Sequence, residues 1–132
     1  VKRITAHFNG VSTNGTSNYL VQLGDSGGIE TSGYTGAGWN VAIGSATSTA
    51  GFLIRNNSAT SIAQGMLIMA MSNSSTHNWN AIGVFSRSDS AENWVAAGSK
   101  AVSAGPVDRV RFTTVNGTDT FDAGEVNLTT ES

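Results

Sequence analysis

The sequence predicts an all-β chain: an antiparallel β-sandwich of jelly-roll or lectin-like form, without substantial helix. Three observations lead there. Apolar and polar residues alternate over short runs, as Ile4, Ala6 and Phe8 do against Arg3, Thr5 and His7, the period-two mark of a half-buried strand. Glycine, with 16 residues, and Asn-Gly pairs interrupt those runs where tight turns would fall. No window of about a dozen residues keeps apolar side chains at i, i+3, i+4 and i+7, so no segment reads as an amphipathic helix.

The elements follow in order. Lys2 to Phe8 reads as a strand with His7 on its polar side, and Asn9-Gly10 and Asn14-Gly15 read as turns. Asn18 to Leu23 places Tyr19, Val21 and Leu23 together, and Gly24-Asp25-Ser26-Gly27-Gly28 reads as a tight connection. Gly33 to Ala50 is nearly all small residues around Trp39, Val41 and Ile43. It is expected to be a long excursion, with a short strand or an anchored loop, and to be the contacting region. Gly51 to Arg55 is a short strand. Gln64 to Met71 is apolar on both faces, so it is either central and covered or part of a subunit contact, with its methionines as adaptable packing. His77 to Phe85 sets Trp79, Ala81, Gly83 and Phe85 on one parity and Ile82 and Val84 on the other. After a polar loop from Ser86 to Asn93, Trp94 to Ala97 and Gly98 to Ala104 read as strand segments ended by Gly105-Pro106. Val107 to Thr114 alternates cleanly, with Asp108 at its end. Val115-Asn116-Gly117-Thr118 is the strongest hairpin signal, and Glu125 to Thr129 is the last strand.

At 132 residues the chain is expected to form one sandwich domain, residues 1–132. Its start, Val1-Lys2-Arg3-Ile4, reads as that of a C-terminal domain or processed form of a longer protein. Seven basic and nine acidic residues give a formal charge of −2, without a basic block, so a nucleic-acid groove is not expected. Ser, Thr and Asn number 44, which makes the surface one of hydroxyls and amides. With no cysteine, disulfides and thiolate metal sites are excluded. No apolar run reaches the roughly 20 residues that span a bilayer, so membrane insertion is not expected.

Gly24-Asp25-Ser26-Gly27-Gly28 also matches the string around the nucleophile of chymotrypsin-like proteases. Such a serine needs a histidine to take its proton and a third group to orient that histidine. Before Ser26 stand only His7 and, inside the string itself, Asp25; the one other histidine is His77. Ser26 is therefore expected to serve a turn, and the protein is not expected to be an enzyme or to need a cofactor.

Several motifs in fixed order carry a resemblance. Phe8-Asn9-Gly10-Val11-Ser12, Gly15-Thr16-Ser17, Gly24-Asp25-Ser26-Gly27-Gly28-Ile29-Glu30 before Gly33-Tyr34, and Ser48-Thr49-Ala50-Gly51-Phe52 are followed by Asn78-Trp79 before Gly83. The series closes with Asp108-Arg109-Val110-Arg111, Gly117-Thr118-Asp119-Thr120-Phe121-Asp122-Ala123-Gly124 and Val126-Asn127-Leu128. Together they resemble segments at the C-terminal ends of bacteriophage virion and tail-fibre proteins. The resemblance implies a non-enzymatic structural module, extracellular and part of a virion. It implies a homo-oligomer, with a trimer favoured, contacts to other virion proteins, and lectin-like character. Such relatives end in an aromatic or aliphatic residue after the final Asn-Leu. This chain ends Thr129-Thr130-Glu131-Ser132, which leaves the docking of its last residues open.

The alternative function is a carbohydrate- or receptor-binding domain contacting a host-surface polysaccharide. A sugar site needs an exposed aromatic face flanked by amides or carboxylates. Candidates are Tyr34, Trp39 and Asn40 in the glycine-rich excursion, and Trp79 with Asn78 and Asn80. Asp119, Asp122 and Glu125 place three carboxylates at spacings of three, a pattern to weigh as a calcium site against ordinary turn bonding.

Overall fold

The alternation at Ile4, Ala6 and Phe8 becomes the first of eleven strands in a computed structural model that describes residues 1–132. These are β1 (Arg3–Thr13), β2 (Tyr19–Asp25), β3 (Gly28–Ile29), β4 (Gly36–Asn40), β5 (Gly44–Ser48) and β6 (Phe52–Ile54). After them come β7 (Ala63–Asn73), β8 (Asn78–Arg87), β9 (Asn93–Ala101), β10 (Arg109–Thr114) and β11 (Phe121–Glu131). No residue is helical. Seven strands form one sheet in the order β11-β1-β7-β8-β9-β4-β5; a four-stranded sheet sets β10 on one side of β2 and both β3 and β6 on the other. All pairings are antiparallel, so the fold is all-β with antiparallel sheets, consistent with a β-sandwich.

The core lies between the sheets. Ile4, Ala6 and Phe8 of β1, Leu67 and Met69 of β7, and Trp79, Ala81 and Phe85 of β8 meet Tyr19, Val21 and Leu23 of β2 and Phe52 and Ile54 of β6. Phe8 sits edge-on to Phe85, centroids 5.2 Å apart, and to Phe112 at 5.9 Å. Removing a ring of this kind costs about 3–5 kcal/mol, through lost transfer energy and the cavity left behind.

The turn signals mark turns, but two of them do something other than join paired strands. Asn9-Gly10 lies inside β1, where Gly10 takes φ +63° and produces a bulge that shifts the register against both β11 and β7. β1 therefore runs on to Thr13 instead of ending at Phe8. Val115 to Gly117 turns as expected, with Gly117 at φ +69°, yet it makes no hairpin. β10 lies in the small sheet and β11 in the large one, so this turn carries the chain between sheets. A turn motif fixes local direction only; pairing is decided by which buried face each flanking strand must cover.

The long excursion is also ordered. Residues 36–48 form the β4–β5 hairpin at one edge of the large sheet. Trp94–Ala97 and the start of the next segment merge into one strand, β9. The terminal residues dock without an apolar anchor: Thr129, Thr130 and Glu131 pair with Thr5, Ile4 and Arg3, and Arg3 forms an ion pair with Glu131. Asp108 precedes β10 and bonds its own neighbour, the Arg109 guanidinium, at 2.7 Å.

Candidate binding face

The outer face of the seven-stranded sheet carries two adjacent apolar rows. In one, Met66, Val84, Val95 and Trp39 stand opposite one another across β7, β8, β9 and β4. In the next, Ile68, Ile82, Ala97 and Ala37 do the same. These side chains face solvent: Val84 is 61% exposed, Ile82 60%, Trp39 45%, Val95 45% and Met66 41%. Between Trp39 and Val84 the surface dips into a shallow depression of about 380 Å³ floored by Ala37, Gly83 and Ala96. No charged side chain stands in either row.

Trp39 points outward because its strand has no room inside. On β4 the inward positions are Gly36 and Gly38, and the backbone of β6 lies directly against them. A Cβ on Gly38 would stand 2.8 Å from the Leu53 carbonyl, and one on Gly36 would collide with the Gly51 carbonyl. The bulky alternate position is thus the outer one. The end of β4 is pinned by Asn40, whose amide donates to the Arg55 carbonyl at 3.1 Å and to Glu92 at 2.9 Å while its own oxygen accepts from Ala42 N–H at 2.8 Å. Glu92, buried, also pairs with Arg87 at 3.3 Å, and Arg87 donates to the Thr60 carbonyl at 3.0 Å. Hydrogen bonds to Asp89 and Glu92 hold the Arg87 guanidinium charged, its pKa raised despite partial desolvation.

Of the residues expected to contact a glycan, Trp39 is on the surface and Asn78 is half-buried; Tyr34, Asn40 and Trp79 are buried and are corrected to structural roles. The Tyr34 hydroxyl accepts from Leu23 N–H at 2.8 Å and donates to the Glu30 carbonyl at 3.0 Å, tying the segment before β4 to β2. Burial pushes this phenol up to about 12, a neutral hydrogen-bonding group at any ordinary pH. Asn40 is consumed by the network above, and Trp79 lies in the core with Ala81 and Phe85. Trp39 and Asn78 share the outer face but not a site. Asn78 is six positions along β8 from Val84, whose row holds Trp39, about 20 Å at the rise of a strand.

The three carboxylates weighed as a calcium site are not brought together, and no cluster of His, Asp or Glu side chains here is arranged to hold a metal. Asp119 accepts from Ser17 N–H at 2.9 Å, Asp122 from the Ser12 hydroxyl at 2.9 Å, and Glu125 from the Asn9 amide at 3.2 Å. Asn116 and the Ser17 N–H hold the Asp119 carboxyl below its ordinary range. Ser26 lies exposed in the β2–β3 turn. Its neighbour Asp25 shapes that turn, accepting from Gly27 N–H and from Ala104 N–H, each at 2.8 Å.

A second, polar groove of about 290 Å³ lies at the far end of the same face, lined by Ser72, Asn78, Asn80, Ser99 and Lys100. The outward apolar residues Ile82, Val84 and Val95 were not among the expected site residues. Their signal was the two-faced apolar character of β7 and β8, which marks a strand with something to cover on both sides.

No protein-family model, no curated protein and no solved structure matches the chain. That result corrects the viral reading: nothing ties the chain to bacteriophage virion or tail-fibre proteins, and the identity expected from the motif resemblance is set aside.

Proposed function

We propose that the chain is a non-enzymatic structural module that assembles with copies of itself through the outer face of its large sheet. The observation that supports this is the double apolar row built on Met66, Val84, Val95 and Trp39 beside Ile68 and Ile82, open to solvent in the single chain. Contiguous apolar surface of this kind marks an interaction site, and covering it returns about 25 cal/mol per Å². The occupant is a second copy. The two rows are uncharged and repetitive, so they offer no electrostatic code for a different partner, while row on row is self-complementary. The chain crosses repeatedly between sheets, from β1 to β2, β3 to β4, β5 to β6, β6 to β7, β9 to β10 and β10 to β11, which supports a jelly-roll or lectin-like form of the sandwich.

Light scattering at several concentrations tests the assembly. The expected mass is an integral multiple of the monomer's, falling to the monomer's in Val84→Asp and Ile82→Asp with the circular dichroism spectrum unchanged. A wild-type monomer at high concentration overturns the proposal.

One observation favours a second reading, contact with a glycan. Trp39 presents its indole beside Ser45 and Val95, a surface on which the apolar face of a sugar ring can stack.

A further inference from the structure

We propose that the polar groove around Asn78 and Asn80 is a binding site for an uncharged polyhydroxylated ligand, a single neutral sugar residue. The inference rests on the glycan-contact reading and moves its centre away from Trp39. Asn78 and Asn80 lie on β8 at alternate, outward-facing positions, with Ala101 and Ser99 opposite them on β9 and Ser72 at the end of β7. Both amide side chains are free of hydrogen bonds within the protein, and the one bond at Asn78 goes to its backbone carbonyl, so all their side-chain donors and acceptors are open to a ligand. Each amide offers two N–H donors and a carbonyl acceptor, and a pair on one face can engage neighbouring sugar hydroxyls, which both donate and accept.

Two hydroxyls complete the lining. Ser72 donates to the Asn78 carbonyl at 3.3 Å, and Ser99 shares a hydrogen bond with the Thr35 hydroxyl at 2.8 Å, so each keeps capacity for a ligand. Both amides stand on β8, which is paired on each side with β7 and β9, and this fixes their spacing before any ligand arrives. Ile82 and Ala97, one row further along, supply an apolar border for the C–H face of a ring.

Charge selects the ligand class. Lys100 is the only cation at the groove, and its ammonium is held by Glu30 at 2.5 Å beneath the surface. The groove therefore has neither a free positive charge for a phosphate or uronate nor a carboxylate pair for a cation. The volume, about 290 Å³, falls just under the ~300–1,000 Å³ typical of small-molecule sites and suits one ring rather than a chain.

The test is saturation-transfer NMR and titration of the whole protein with methyl glycosides of glucose, galactose, mannose and N-acetylglucosamine, with glucuronic acid and inorganic phosphate for comparison. At least one neutral glycoside should bind. The double variant Asn78→Ala/Asn80→Ala should weaken it about tenfold, the loss of two modest hydrogen bonds. Ala101→Trp, which fills the groove from its exposed wall, should abolish binding, and Trp39→Ala should leave it unchanged. Matching thermal melts confirm that each variant is folded. Binding that survives both groove variants, or is lost only with Trp39, overturns the groove and leaves the glycan reading standing. Preference for glucuronic acid or phosphate overturns the ligand class. No binding of any glycoside by the wild type overturns both.

Discussion

Asn14 and Thr120 exchange two hydrogen bonds: Asn14 N–H donates to the Thr120 carbonyl at 3.0 Å, and Thr120 N–H donates to the Asn14 side-chain oxygen at 2.9 Å. The pair fastens together the two segments by which the chain leaves β1 for the small sheet and returns from it to β11. Ser17 adds to the clasp, its N–H bonded to Asp119 and its hydroxyl accepting from Asn116 N–H at 3.0 Å. Asn14→Ala removes one of these bonds and is expected to lower unfolding stability by about 1 kcal/mol in urea titration. An unchanged midpoint would show that the clasp contributes nothing.

Glu30 gives the fold an acid limit. Burial works against its charge, but Lys100 at 2.5 Å and the hydroxyl and N–H of Ser103, at 2.6 and 2.7 Å, outweigh burial and hold the carboxyl at about 2. The folded value lies below the ordinary 4.5, so the stability Glu30 contributes is complete above about 4.5 and is lost as the pH falls toward 2. The unfolding midpoint should fall across that window. Glu30→Gln should flatten part of the fall, since Asp119, also held low, contributes its own share. Identical acid limbs for variant and wild type would remove Glu30 from the account.

Gly38→Ala tests why Trp39 faces water. The added methyl would stand 2.8 Å from the Leu53 carbonyl and 2.9 Å from its side chain, so β4 or β6 must move. The expected cost is about 1–3 kcal/mol, with a shifted Trp39 emission as the hairpin lifts. Full stability with unchanged emission would mean that the two strands are not in close contact.

Strand positions were legible where one face is buried and the other wet, because alternation then has a single cause. β1 shows this: Ile4, Ala6 and Phe8 are buried as their spacing requires. Alternation could not say which side of β8 faces the core, since Trp79 and Phe85 on one parity and Ile82 and Val84 on the other are all apolar. Size decided it, with the aromatic rings filling the space between sheets. β5, Gly44–Ser48, has no large apolar residue and so gave no strand signal; β4 is its one ladder partner. The polar groove was half legible. Asn78 and Asn80 were candidates for their amides, but Ser72 and Ser99 come from other strands, and only the register of β7, β8 and β9 brings them close.

The pairing of Arg3 with Glu131 has a kinetic meaning. It joins residues near opposite ends of the chain, so the loop that must close is nearly the whole molecule, and its entropy is spent before the contact returns anything. Topologies dominated by such distant pairings fold in roughly milliseconds to seconds. β1 lies between β11 and β7, so a chain in which β11 is undocked exposes an edge of β1 that can accept the same strand from another molecule. Refolding at rising protein concentration should therefore divert chains into copies that have exchanged their last strand, and a variant lacking residues 121–131 should bind that segment as a separate peptide.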